Sequence, residues 1–314
     1  MKSPFCSWHT WWKPAFDEST WEALALRVLI AWIVWSSVPD SLQFATQPIP
    51  NGLALYFDLT WIAEPGVWPV MRWTLLGALV VFVSGRMLSF AGLVICIILI
   101  WEGTLRNSQG DIGHGRQMVS LVMLAMTACY LLNDLQGLFR RDGKKRSQLQ
   151  KHQLGLSAAR QVVVACYVVS AITKIERSNG TWLFTSPNLG FGIFKTHAQR
   201  YYNSPETESL ELLERGAAIG EWLVSHPILA AVLLSGGLFI ELFAFVALAN
   251  RRTALVYALA LIGFHQVIWH IMFLRFSIHE DFLWALFVNP VYWVGLGLSG
   301  LWRFWRKTPG EGLD

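Results

Sequence analysis

The sequence predicts an all-α integral membrane protein, a bundle of about eight transmembrane helices with both termini in the cytoplasm. Of its 314 residues, 54% are hydrophobic and 15% are charged, whereas a soluble protein carries about 25% charged residues. Apolar runs close to the ~20 residues that cross a bilayer recur along the chain. Basic residues are concentrated in the connections between these runs, so we expect a lipid bilayer as the main partner and no nucleic acid.

The predicted spans follow the apolar runs in chain order. We expect them at about residues 21–38, 67–83, 87–101, 118–132, 159–182, 227–249, 253–276 and 282–302. In span five, the apolar helix is expected to stop near Lys174, because the turn signal Asn179-Gly180 follows.

The loop of residues 176–226 is the longest connection. Ser204, Pro205 and Glu206 predict a helix start there, as an N-cap, a proline at the first helical position and an acid in the first turn. We expect this helix to lie near the membrane surface.

The basic loops predict the orientation. The strongest basic run covers residues 140–151, and basic residues favour the cytoplasmic side. Placing that run in the cytoplasm puts Arg86 and the Arg251-Arg252 pair there too, whereas the loop of residues 39–64, which has no Lys or Arg, lies outside.

With this orientation, reactive side chains gather in the outer half of the bundle. His114 precedes span four at its outer end, and Lys174 lies at the outer end of span five. At 1.5 Å per residue, His265 lies about 20 Å and His270 about 27 Å along span seven, and His279 follows in the outer turn. His265 and His270 are five residues apart and point to different faces of a helix, so no metal is expected.

Two charged residues lie deep inside other spans. Arg27 is about 9 Å from the inner end of span one, and Glu241 is about 21 Å from the outer end of span six. In a bilayer core about 30 Å thick, both residues lie about 9 Å from the inner face. Because their depths nearly coincide, the sequence predicts a structural ion pair between them. Intramembrane charges either pair in this way or line a cavity.

Lys174 has two interpretations. A lysine deep in an apolar helix costs about 2.5–3.5 kcal/mol on insertion scales, which favours a functional reason for its presence. Near a helix end, however, lysine extends its ammonium to the interface at lower cost.

Several segments resemble a known family. Arg160-Gln161, Tyr167, the run AITKI at residues 171–175, and Trp182 are similar to the lysine helix of the vitamin K-dependent gamma-carboxylases. They are also similar to the wider bacterial set that shares the horizontally transferred transmembrane (HTTM) domain.

Three further segments extend the resemblance over roughly residues 21–290. Residues 235–242 (SGGLFIEL) resemble the family's Gly-Gly-apolar-acid-Leu segment, and Gly263-Phe264-His265 resembles its Phe-His pair. Asn107 and His114 lie in the loop that carries a functional Asn/His group in the carboxylases.

The resemblance implies one HTTM-like transmembrane domain over residues 1–314 and a base at Lys174, acting on a reduced, vitamin K hydroquinone-like quinone. A neutral amine would accept the quinol proton, and His114 or His265 would hydrogen-bond the resulting oxyanion. Dioxygen, and carbon dioxide for carboxylation, are the implied co-substrates. The implied cofactor-binding residues are Asn107, Arg160, Trp182 and His270.

Two departures from the family limit what the resemblance implies. The carboxylases have two adjacent lysines where this chain has Thr173-Lys174, and they have a large lumenal domain that this sequence lacks after span eight. The expected function is quinol-linked oxygenation or carboxylation of a peptide or small substrate, at the extracytoplasmic side of a bacterial cytoplasmic membrane. The alternative is a non-catalytic membrane partner for maturation, export or immunity of a small secreted peptide.

The orientation predicts where reporter fusions will be found. A reporter fused after Lys151 should be cytoplasmic, and one fused at Ser204 should be extracytoplasmic. The reason is that Lys and Arg are concentrated in the loops that follow spans two, four and six. Alkaline phosphatase and fluorescent-protein fusions measure this. The opposite locations for the two fusions would overturn the predicted orientation.

Overall fold

A computed structural model describes residues 16–42, 52–108, 110, 113–139, 146–185, 187–204 and 206–306, and these residues contain helices and no strand. The α-helices are α1 (Thr20–Ser37), α2 (Val67–Val83), α3 (Leu88–Ser108), α4 (His114–Phe139), α5 (Gln148–Arg177), α6 (Pro187–Asn203), α7 (Leu210–Ser225), α8 (Pro227–Leu242), α9 (Arg251–Met272), α10 (Ser277–Leu283) and α11 (Pro290–Arg306). Short 3-10 helices cover Gly52–Leu55, Thr60–Ala63, Trp182–Thr185 and Ala244–Leu248, and a π-helix covers Trp284–Val288.

Six helical segments among the described residues are long and apolar enough to cross a membrane, and the protein is therefore a multi-pass membrane protein. They are Leu88–Ser108, His114–Leu138, Gln148–Arg177, Pro227–Leu248, Arg251–Met272 and Ser277–Ser299. They coincide with predicted spans three to eight. Helices α1 and α2 form at the predicted places but are not among the six, so the count of eight spans and the cytoplasmic termini stay predictions.

Local sequence signals explain several helix ends. Ser19 and Glu22 form a capping box at the start of α1, in which each side chain accepts a backbone N–H of the other residue. The predicted turn after α5 is confirmed, because Asn179 and Gly180 both have a positive φ and the Gly180 N–H donates to the Ile175 carbonyl.

The predicted start at Ser204 is wrong. Ser204 follows the end of α6, and the next helix, α7, begins at Leu210 after the N-cap residue Ser209. Pro205 lies outside the described residues. The proline signal marked the break between two helices rather than the start of one, and α6 itself was missed.

Predicted span eight is not one regular helix. It begins as α10 and continues through the π-helix Trp284–Val288. Asn289, which follows, has a left-handed backbone conformation with a φ of 48°, and this residue ends the helix. Pro290 then begins α11 at the first helical position, where its missing N–H costs nothing.

The basic run predicted for the cytoplasm lies largely outside the described residues, since 140–145 are not among them.

The chain divides into two compact units, Met1–Arg160 with Asp281–Asp314, and Gln161–Glu280. They are called unit 1 and unit 2 in that order. The assignment of residues 1–314 as one HTTM-like domain stays a prediction.

Unit 1 is built on α1 to α4 and the first part of α5. Its apolar core includes Leu26 and Ile30 of α1, Leu75 and Phe82 of α2, and Met123 of α4, all fully buried. Buried polar groups cross this core in pairs. The Tyr130 hydroxyl, for example, lies 2.9 Å from Nδ1 of His152.

A fully buried ion pair joins the start of α1 to α5 within unit 1. Arg160 Nη1 lies 2.6 Å from Glu18 Oε1, and neither side chain is exposed. Arg160 Nε also donates to the Leu286 carbonyl at 2.8 Å, and the guanidinium lies 4.4 Å from the centre of the Phe16 ring. Nearby, the Asn289 amide donates to Glu22 at 2.5 Å. These contacts hold the irregular segment after α10 against α1 and α5.

Unit 2 contains a close-packed helical hairpin, α6 and α7. Gly190 of α6 and Gly220 of α7 face each other, and a Cβ on Gly190 would lie 2.7 Å from the Gly220 carbonyl oxygen. Gly216 likewise packs on the buried ring of His197. Small residues four apart allow two helices to approach closely, and Ile193, Leu223 and Ala230 form the core beside this contact.

The pair of Arg160 and Glu18 is expected to stabilise unit 1. Glu18→Gln leaves a guanidinium uncompensated in the core, and losing one partner of a buried pair typically costs about 3–5 kcal/mol. Thermal unfolding of the purified protein in detergent measures the effect. Asp40→Asn is the control, because Asp40 pairs with Arg72 at an exposed position and such pairs contribute little. Equal losses in the two variants would contradict the prediction.

Candidate functional site

Unit 2 holds an ion pair between Lys174 and Glu241. Lys174 lies in the last turn of α5, and Glu241 lies in the last turn of α8. Their side chains are 29% and 10% exposed. The ammonium also lies 5.9 Å from the centre of the Trp182 ring, in the 3-10 helix after α5. The pair therefore combines a charge-assisted hydrogen bond with partial exposure of the lysine at the surface of the protein.

The predicted pair of Arg27 and Glu241 is wrong in its partners. Glu241 bonds to Lys174 in unit 2, and Arg27 donates from Nε to the Val83 carbonyl at 3.0 Å in unit 1. The Arg27 guanidinium lies over Gly85, where a Cβ would come within 3.1 Å of it. Depth along a helix limits which charges can meet, but the packing of the helices decides which of them do.

A second cluster in unit 2 surrounds His265 of α9. The His265 ring stacks on Tyr167 of α5, with centroids 5.8 Å apart, and on Phe276, with centroids 4.7 Å apart. The ring of His279, in α10, meets His265 edge-on at 6.0 Å. Tyr167, His265, Phe276 and His279 thus form one group of rings, which we call the ring cluster.

Two polar atoms of the ring cluster are buried without a hydrogen-bond partner among the described residues. They are the Tyr167 hydroxyl and Nδ1 of His265, on side chains that are almost wholly buried. Buried polar groups are nearly always hydrogen-bonded, and an exception calls for an explanation. Here it leaves hydrogen-bonding capacity that no described residue uses.

The ion pair and the ring cluster are linked through α5. Tyr167 and Lys174 are seven residues apart on α5, two turns, and so share a face of that helix. The site is therefore a proton-carrying pair next to aromatic rings with unmet hydrogen-bonding capacity.

Trp182 and His270, two of the predicted cofactor-binding residues, lie in unit 2 and have different surroundings. Trp182 does contact Lys174, as described above. His270 is exposed, and its Nδ1 lies 2.7 Å from the Gln266 carbonyl of the same helix. The structure therefore places His265 within the site and His270 on the outer surface of α9, as their spacing predicts.

The other predicted residues belong to unit 1. His114 is the first residue of α4 and is exposed, and Asn107 lines a cavity between α3 and α4. Arg160 is bound to Glu18 and completely buried. That environment gives Arg160 a structural role and leaves its predicted role in cofactor binding without support.

Sequence reasoning missed the contribution of Tyr167 and Phe276 to the site. Tyr167 had an available signal, its two-turn spacing from Lys174. Phe276 lies in the irregular segment between α9 and α10, where no periodicity indicates the direction of a side chain. No group of three or more metal-binding side chains is found among the described residues.

Comparison of the chain with family models, curated proteins and solved structures finds no match.

The contact between Lys174 and Glu241 can be measured by a double-mutant cycle. Either Lys174→Met or Glu241→Met strands one charge, at less than the ~3–5 kcal/mol of a fully buried pair because Lys174 is partly exposed. The double variant should recover much of the thermal stability lost in each single variant. Glu241→Met with Arg200→Met is the control and should be additive, since Arg200 pairs with Glu208. Additive losses for Lys174 and Glu241 would show that the two do not interact.

Proposed function

We propose that this chain is a quinol-linked membrane enzyme of the HTTM and gamma-carboxylase type, with its reactive site in unit 2. The observation that carries the proposal is the ion pair of Lys174 and Glu241, whose lysine is partly exposed and lies two turns from Tyr167 of the ring cluster on α5. The pair of Arg160 and Glu18, in contrast, is closed on both sides.

The residues of the site fit a reduced quinone. Such a molecule is flat, aromatic and largely apolar, and carries two ring hydroxyls. Trp182, which is half-buried beside Lys174, offers an aromatic surface on which a planar ring stacks favourably. The Tyr167 hydroxyl and Nδ1 of His265 offer hydrogen-bonding atoms that no described residue uses. When bound, the reduced quinone would supply the electrons for reduction of dioxygen.

Lys174 and Glu241 together handle the proton. An amine and a carboxylate in contact can share one proton. When Glu241 holds that proton, Nζ of Lys174 is a neutral amine that can accept a hydroxyl proton from the quinol. Lys174 is therefore the general base, and Glu241 is the group that takes up its proton.

Tyr167 and His265 position the reacting oxygen. A hydrogen bond from a fixed, buried donor stabilises developing negative charge on oxygen more than the same bond in water does. The stacking of His265 between Tyr167 and Phe276 holds its ring in place. Tyr167 and His265 thus take the role for which the resemblance implied His114 or His265.

The proposal extends to location and substrate. The basic loops support an orientation in which the end of α5 at Lys174 faces the extracytoplasmic side of a bacterial cytoplasmic membrane. The substrate would be a peptide or small molecule on that side, oxygenated or carboxylated with carbon dioxide.

Lys174 variants test the proposed base. In membranes supplied with reduced vitamin K or decylubiquinol, Lys174→Met should abolish protein-dependent oxygen uptake. Lys174→Arg should abolish it as well, because a guanidinium keeps the charge but is not deprotonated in a protein. Lys195→Met is the matched control, since Lys195 is an exposed lysine of α6, and it should keep full activity. Membranes without the protein give the rate of spontaneous quinol oxidation.

The results separate the enzyme from the alternative, a non-catalytic partner of a small secreted peptide. Full oxygen uptake in the arginine variant would show that Lys174 is not the catalytic base. No protein-dependent uptake in the wild type, together with normal maturation of a peptide encoded beside the gene, would favour the partner.

A further inference from the structure

Unit 1 contains a cavity of about 320 Å³ between α3 and α4, and none of its lining residues takes part in the proposed chemistry. Its volume lies within the range of roughly 300–1,000 Å³ that is typical of small-molecule sites. It begins where α3 ends and α4 starts, and it extends along both helices.

One end of the cavity is polar and rich in hydrogen-bond donors. Arg106 and Asn107 come from the last turn of α3, and Arg116, Gln117 and Ser120 come from the first two turns of α4. A guanidinium offers five N–H donors in a planar fork that matches the oxygens of a phosphate group. This end is therefore suited to an anionic, oxygen-rich group.

The start of α4 supports the same ligand class. Arg106 already shares one guanidinium nitrogen with Glu102, one turn earlier on α3, at 3.5 Å. The guanidinium of Arg116 lies over Gly113, directly before α4, where a Cβ would come within 2.8 Å of Nη2. This position is at the N-terminal end of a long helix, where the helix dipole favours negative charge.

The other end of the cavity is apolar and open. Leu99 and Ile100 lie about one and a half to two turns before Arg106 on α3, about 10 Å deeper along the helix, and Leu121 lies on α4. Ile100 and Leu121 are 39% and 47% exposed. Both belong to segments that are apolar enough to cross a membrane, so this end of the cavity faces the acyl chains of a bilayer.

We propose that this cavity binds an anionic phospholipid, with the phosphate at Arg106 and Arg116 and an acyl chain along Leu99, Ile100 and Leu121. The polar end at the helix termini and the apolar end inside the spans match an amphiphile of that kind. A free phosphate ion uses only the polar end, and a neutral quinol makes no charge-assisted hydrogen bond with the guanidinium groups there. The proposal does not depend on the function proposed for unit 2.

Two variants remove different parts of the site. Arg116→Gln removes a phosphate-binding charge. Gly103→Leu fills the cavity from its wall, and an added Cβ at Gly103 meets nothing within 4 Å, so the helix can accept the larger side chain. Gly77→Leu is the matched control, because Gly77 lies on α2, outside the cavity, with the same open surroundings.

The test is the thermal stability of the purified protein in detergent, titrated with dioleoylphosphatidylglycerol. We expect a saturable rise in Tm for the wild type and for Gly77→Leu. The apparent affinity should fall about tenfold or more in Arg116→Gln and Gly103→Leu, since a hydrogen bond to a charged group is worth roughly a factor of ten. Native mass spectrometry should show one lipid retained by the wild type and lost from both variants.

Parallel titrations identify the source of any binding. Dioleoylphosphatidylcholine or inorganic phosphate acting as strongly as the anionic lipid would overturn the proposal, as would displacement of the lipid by decylubiquinol. Unchanged lipid affinity in both variants would overturn it too, since that result describes general contact with surrounding lipid. Folding of each variant is checked by its gel-filtration profile and its Tm without lipid.

Discussion

A charged side chain within an apolar helical bundle needs a partner, and α5 carries two such side chains. Arg160 takes Glu18 in unit 1, and Lys174 takes Glu241 in unit 2. Without these partners each cation is expensive in a low-dielectric interior. The position of α5 in each unit therefore depends on an ion pair as well as on apolar packing.

The two pairs differ in what they can do. The pair of Arg160 and Glu18 is closed on all sides, and arginine does not give up its proton, so this pair can only hold the fold. The pair of Lys174 and Glu241 has a partly exposed lysine, and both members can exchange protons. A fully buried ion pair thus stabilises the packing only, whereas a partly exposed ion pair can also take part in proton transfer.

Four groups of the candidate site lie where helices end, whereas Tyr167 and His265 lie inside α5 and α9. Lys174 and Glu241 are in the last turns of α5 and α8, Trp182 is in a 3-10 helix, and Phe276 is in the irregular segment that follows α9. The left-handed conformation of Phe273 ends α9 and turns the chain towards α10. Helix ends release side chains from the fixed directions of a regular helix, which is how residues distant in sequence come to face one another.

The sequence by itself determined the helical class and the places of the apolar helices, because an apolar run has to satisfy its backbone hydrogen bonds internally in lipid. Helix α2 has the bounds that were predicted, and His265 and His270 separate to different sides of α9 as their spacing requires. The polar segment before α7 was beyond this reasoning, because Ser204 and Pro205 are as compatible with a break between helices as with a start. Only the tertiary structure decided the partners. Helical periodicity specifies the depth and face of Glu241, but the choice of Lys174 over Arg27 depends on which helices pack together, and that follows from the shapes of many side chains at once.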